Sequence, residues 1–201
     1  MEASAQERHA NIQLPYVKRA GGLPLRDALS RRASCRDFDG HPLEAQTIAD
    51  LLWAGFGINR PEDGGRTAPS ARDWRAIDVY VALADAVYRY DPTFNRLDFV
   101  AAGDLRSATG VQTFAAEAPL NLVYVADYAK MQGASAEQRD TFAAADAGFI
   151  AQNIYLFCAA EGLATVVRAL IERGPLAKAM RLRPDQHVVL AQSVGRPVQA
   201  R

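Results

Sequence analysis

Apolar residues recur along this chain with two periods, and the change between them separates helices from strands. Between residues 42 and 57, Ile48, Leu51, Leu52 and Phe56 fall at i, i+3, i+4 and i+8. That spacing predicts a helix that Gly55 or Gly57 ends. A weaker stripe of Leu25, Ala28 and Leu29 follows Pro24 and predicts a short helix over 23–32. Beyond a Pro-, Gly- and charge-rich segment at 58–74 the period shortens to two. Residues 77–83 alternate, 86–92 and 95–101 read as a hairpin around Asp91 and Pro92, and 120–127 reads as a buried central strand. The 58–74 segment is longer than a turn, and such loops inside compact domains are usually functional or disordered.

The helical period returns from about Glu137 to Glu161, where Gly162 stops it. Phe149, Ile150, Ile154, Tyr155, Phe157 and Cys158 spread almost all round this helix, which therefore needs neighbours on every side. Either it is the core helix of a monomer or a second copy of the chain covers part of it. A β-branched centre makes 163–171 extended, Pro175 opens a short helix over 174–182, and 187–195 closes as a buried strand. The fold class is α+β: a mostly antiparallel central sheet flanked by helices. No repeat or linker divides the chain, so a single domain over 23–201 follows an N-terminal extension at 1–22.

With 49% hydrophobic and 23% charged residues, the 201-residue chain has the composition of an ordinary globular domain. Lys plus Arg and Asp plus Glu both number 23, and a net charge of zero argues against a nucleic-acid partner. Cys35 and Cys158 form no C-x-x-C pair, and His9, His41 and His187 have no ligand spacing, so no metal is expected. The polar first thirteen residues contain no signal-like apolar run, which points to the cytoplasm, or to the periplasm if a leader was removed. Gln152 and Asn153 interrupt the apolar stretch 147–160, which reads as a buried helix and not a membrane span.

The candidate chemistry begins at 30–38, where Arg31, Arg32 and Arg36 are threaded with Ser30 and Ser34. Such a cluster either decorates a helix end or holds an anion. Four stretches in order then carry a resemblance: Arg32, Ser34, Arg36 and Phe38; Pro69, Ser70 and Ala71 before the first strand; Gln152, Asn153, Leu156, Ala159 (or Ala160), Gly162 and Leu163; and Val194 to Pro197. Together they resemble the nitroreductase family, in particular its compact branch related to the thiazole-forming peptide dehydrogenases.

That resemblance implies a homodimer with FMN bound at the subunit interface and the apolar helix contributing to the contact. It implies NADH or NADPH as transient electron donor and nitroaromatic, quinone or enone acceptors, reduced in a ping-pong cycle. Alternatives are a flavin-dependent dehydrogenase acting on a peptide-derived or small organic substrate, and a non-catalytic flavin-binding redox sensor. No side chain is expected to act as acid, base or nucleophile, since the flavin carries the chemistry.

By the same resemblance, Arg32 and Ser34 contact the phosphate, with Ala33 adjacent. Arg36 meets the pyrimidine edge, where a cation stabilises the charge left on N1 and O2 after reduction. Arg31 stays a solvated helix-end residue. Pro69, Ser70 and Ala71 reach the flavin of the partner subunit, and Trp74 either lines the substrate side or belongs to the core. Val167, Arg168 and Ala169 pass the ring face with a backbone donor, Arg168 being a substrate gate or an exposed charge. Gln112 either reaches the pyrimidine oxygens or is a solvated helix residue. Arg201 either completes the phosphate site or is an idle terminus. Cys35 is a bystander and Cys158 is core.

Overall fold

A computed structural model describes residues 10–198. In chain order the elements are β1 (Ile12–Gln13), α1 (Leu25–Arg31), α2 (Ala45–Phe56), β2 (Ile58–Arg60), β3 (Gly65–Arg66), β4 (Ile77–Ala82) and β5 (Ala86–Asp91). There follow β6 (Arg96–Ala102), α3 (Phe114–Glu117), β7 (Leu120–Asp127), α4 (Ala136–Glu161), β8 (Ala164–Arg168), α5 (Arg173–Ala179) and β9 (Gln186–Gly195). Seven strands form one sheet in the order β1-β6-β5-β4-β7-β9-β8, and each pairing within it is antiparallel. The α+β architecture expected from the periodicities is the one observed.

Both faces of this sheet are covered, which explains why β7 is apolar without alternation. All eight of its residues are buried. Leu120, Leu122, Tyr124 and Ala126 point into the cluster that α2 and α4 close, whereas Val123 and Val125 join Leu176 and Met180 on the other side. Two covered faces leave no position for a solvated side chain.

α4 crosses the first face for 26 residues. Ser135 and Gln138 form a reciprocal capping box at its start, and Gly162, at φ 68°, ends it in the left-handed conformation. Its length and hydropathy would also suit a membrane span. Here Ile150, Ala151, Ile154 and Cys158 are spent on the core. A Cβ on Gly55 would come 2.7 Å from Ile154 Cδ1, so glycine is what lets α2 lie this close to α4. The opposite side of α4 carries exposed Ala144, Ala145, Gly148, Phe149 and Gln152.

Three local readings differ from expectation. The 58–74 segment holds a small hairpin, β2 with β3, then a 3-10 turn at Ala71–Asp73. Strands of two or three residues are too short to show a period. Ile12–Gln13 adds an edge strand beside β6, and Leu14 enters the core. On α1 only Ala28 is buried; Leu25 and Leu29 stay 64% and 51% exposed, because this two-turn helix meets α4 through its small residue.

Candidate functional site

The chain leaves α1 at Arg32 in an extended conformation and runs beside the outer end of β8. Cys35 N–H donates to Thr165 O at 3.0 Å, and Phe38 is buried 6.3 Å from Phe114. Around these anchors Ala33, Ser34 and Arg36 are exposed and Arg32 is half-buried. Ser34 Oγ lies 2.9 Å from Tyr155 Oη, and the Val167 backbone N–H donates to the same phenol oxygen at 2.9 Å. The Arg32 guanidinium stands 5.4 Å from the centre of the Tyr155 ring. Among the described residues neither Arg32 nor Arg36 pairs with a carboxylate, while ten Arg or Lys pairs with carboxylates occur elsewhere.

Arg168 is not an exposed charge, one of the two roles expected of it: it is 4% exposed. Alternation along β8 turns Ala164, Val166 and Arg168 towards the Phe38–Phe114 side. There its Nη1 donates to Thr109 O at 2.7 Å, and its Nη2 to Thr109 Oγ1 at 3.1 Å and Asn121 Oδ1 at 2.8 Å. All three acceptors are neutral, Nε has no partner among the described residues, and burial lowers the pKa to about 10. A Cβ on Gly110 would fall 1.8 Å from Nη1, so only glycine lets the backbone pass the guanidinium.

Two residues further on, Gln112 precedes α3 and is not part of a helix; its Oε1 is buried without a partner among the described residues. Val111 N–H donates to Leu170 O at 3.3 Å, and both side chains are more than half exposed. Ala169 is exposed beside them. The fold thus brings Arg32, Ser34 and Val167 together around Tyr155, and joins 167–170 to 110–112 as a second contiguous patch. Hollows of about 470 and 500 Å³ occur elsewhere, where residues 16–23 and the β5–β6 turn approach Trp53.

The Pro69–Ala71 loop lies apart. Ser70 Oγ donates to Asp146 Oδ2 at 2.8 Å, and the Ala71 N–H donates to Asp146 Oδ1 at 3.1 Å. Ser70 Oγ also accepts the Arg75 N–H at 2.9 Å. Asp146 is buried on α4, and that burial raises its pKa against the opposing pull of Ser70 and Ala71. Tyr155 follows nine positions later on the same helix. At 3.6 residues per turn, that puts it about 13 Å along the axis and on the opposite face. Beyond Ala71 the loop is rigidly shaped: Arg72, Asp73 and Arg75 all have φ near 50°, and Arg75 grips Asp73 at 2.6 Å. Trp74 is half-buried and packs on Phe142 at 6.0 Å, in a small cluster with Ala76 and Met131.

Cys35 is half-buried, and Cys158 is fully buried with its thiol pKa pushed up by desolvation. Arg201 lies outside the described residues. Sequence reasoning missed Tyr155 and Asp146 as site-builders. Their signals were present: a tyrosine and an acid within an otherwise apolar helix face must find polar partners.

This seven-stranded antiparallel sheet, with a long helix across it and a basic loop at its edge, is the nitroreductase fold, and the chain belongs to the nitroreductase family, which it matches over residues 29–196. It is a nitroreductase-family oxidoreductase. A crystal structure from Ralstonia eutropha JMP134, provisionally named a nitroreductase, superposes with a TM-score of 0.91 at 45% identity, covering 96% of this chain and 95% of that one. A Methanocaldococcus jannaschii protein, also provisionally named a nitroreductase, is 27% identical over 198 residues, covering 94% and 97% of the two chains. The Escherichia coli microcin synthetase complex McbBCD, solved with truncated pro-MccB17 bound, shares the fold at a TM-score of 0.72 and 21% identity, over 92% of this chain and 77% of that one.

Proposed function

We propose that the protein is an FMN-dependent oxidoreductase working as a homodimer, drawing electrons from NADH or NADPH. The observation that carries this reading is the pair of guanidiniums, Arg32 and Arg36, flanking the exposed Ser34 hydroxyl without any carboxylate partner among the described residues. Arg32 beside the Ser34 hydroxyl suits a phosphate dianion, and Arg36 suits the pyrimidine edge, where negative charge collects on reduction. At the other end, Gln112 carries an acceptor, Oε1, that is buried and has no partner among the described residues; turned outwards it would meet the N–H of a flavin pyrimidine ring. The donor set therefore fits FMN.

In this reading Arg32 and Ser34 hold the phosphate, and Arg36 lies towards the pyrimidine edge. The Val167–Ala169 backbone passes along the ring, and Gln112 orients it. Val111 and Leu170 form an apolar lip that excludes water from the ring face and receives a flat substrate. The dimer is supported by geometry within one chain: the rigid Pro69–Ala71 loop sits on the far side of α4 from Tyr155, so a second copy is needed for it to reach the same cofactor. The exposed small residues Ala144, Ala145 and Gly148 beside Phe149 offer that copy a surface for close approach. Bound there, FMN would supply two-electron chemistry between a nicotinamide donor and a nitroaromatic, quinone or enone acceptor, in a ping-pong cycle.

The test is the visible spectrum of the purified protein, before and after anaerobic NADH and NADPH. A flavin spectrum bleached by one nicotinamide is expected. Colourless protein that FMN does not reconstitute overturns the reading, and flavin left oxidised by both donors favours a dehydrogenase or sensor role instead.

A further inference from the structure

We propose that Tyr155 is a positioning residue that fixes the Ser34 hydroxyl as a donor towards the cofactor phosphate; this rests on the flavin reading above. β8 is the last strand of the sheet, so the Val167 N–H, which points away from β9, has no strand to bond. Tyr155 Oη takes that hydrogen bond at 2.9 Å, and with it one lone pair of the phenol is used. The phenol proton then needs an acceptor of its own, because Tyr155 is only 7% exposed. Ser34 Oγ, 2.9 Å away, is within reach.

The reverse direction, with Ser34 donating to Tyr155, would strand the phenol proton inside the protein and cost its desolvation without return. The arrangement that satisfies every group runs from the Val167 N–H to Tyr155 Oη–H and on to Ser34 Oγ. Ser34 is exposed, so its own proton is free to turn outwards, and Arg32 stands 5.4 Å from the centre of the same Tyr155 ring. A hydroxyl that is already accepting a hydrogen bond donates more strongly. The relay thus ties a backbone amide on the ring side of the site to the group that meets the phosphate, and it offers that phosphate donors alone.

Titrating apoprotein with FMN and with riboflavin, which lacks the phosphate, separates this role from packing. For Tyr155→Phe we expect FMN affinity to fall about 5- to 20-fold, the loss of one strengthened hydrogen bond, with riboflavin affinity within about twofold of native. In a Ser34→Ala background, Tyr155→Phe should cost FMN nothing further. Equal weakening of both flavins, additive losses in the double variant, or unchanged FMN affinity would each overturn the relay. If Tyr155→Phe does not fold, 3-fluorotyrosine at position 155 keeps the phenol and makes it a stronger donor. Tighter FMN binding with riboflavin unchanged is then expected, and no change overturns the proposal. A native protein that binds neither flavin defeats the cofactor assignment itself, whereas native FMN binding with an indifferent Tyr155→Phe variant defeats the relay alone.

Discussion

The segments 32–38 and 69–75 flank one helix and are built on opposite principles. The first is extended and largely exposed, tied by backbone bonds to Thr165 and Val198, by the buried Phe38 ring and by one hydroxyl contact to Tyr155, and among the described residues neither of its guanidiniums at Arg32 and Arg36 pairs with a carboxylate. The second is internally saturated: Asp146 takes Ser70 and Ala71, Asp73 takes Arg75, and three non-glycine residues are held in the left-handed region. Each such residue costs on the order of 1 kcal/mol, which persists only where the surroundings over-determine the shape. On the flavin reading proposed above, the difference means that a ligand completes the basic segment, whereas the Pro-Ser-Ala loop takes its shape from contacts within the chain and offers a preformed surface.

That contrast can be broken by substitution. Arg32→Ala should lower FMN affinity about 10- to 100-fold. It should leave the apoprotein within about 1 kcal/mol of native, since only a half-exposed contact with the Tyr155 ring is lost. Titration of apoprotein and a urea melt check the two halves, and a large stability loss would place Arg32 on the saturated side of the comparison. Asp146→Ala should do the reverse at its origin. Stranding the Ala71 N–H and the Ser70 hydroxyl is expected to cost about 1–3 kcal/mol in the apoprotein, read as a lower urea midpoint. Arg36→Ala should shift the flavin midpoint potential down by about 30 mV, a tenfold change for a two-electron couple, in a potentiometric titration.

The smallest effect is a matter of pH. Burial raises the Asp146 pKa, so the folded chain holds this proton more tightly than the unfolded one. Its contribution to stability is therefore greatest below the ordinary carboxylate range. It declines as pH rises from that range through the raised folded value, and is constant beyond. Asp146→Asn keeps an acceptor for the Ala71 N–H and removes the titration. Subtracting its stability profile from the native one between pH 3 and 7 should leave only that decline. Carboxylates such as Asp104, whose hydrogen bond to Arg106 lowers its pKa, cancel in the difference.

Much of the fold was legible because the strongest elements carry unambiguous periods. The strand at 120–127 and the long helix ending at Gly162 appear where the apolar pattern puts them. The β2–β3 hairpin escaped because two or three residues cannot display alternation. Leu25 and Leu29 looked like a core stripe, yet a stripe says only which residues share a face, and Ala28 is the one that reaches α4. In the site, the arginine–serine segment stood out by composition. Arg168 was misread because an arginine between a valine and an alanine looks solvated until Thr109 and Asn121, brought from 59 and 47 positions away, supply its acceptors. Tyr155 was counted as an apolar residue for the same reason: its hydroxyl has meaning only once Ser34 and Val167 arrive from elsewhere in the chain.

The residue order alone determined the period of each major element, the α+β class, and the concentration of cationic and hydroxyl groups after the first helix. These are local properties, set by backbone geometry and by which side chains follow one another. Only the tertiary structure decided which polar groups meet: that Tyr155 bridges Ser34 to the β8 backbone, that Asp146 locks the Pro-Ser-Ala loop, and that Arg168 is interior. A hydrogen bond acts over about 3 Å, and the distance between two groups in the folded chain is not encoded in their separation along it.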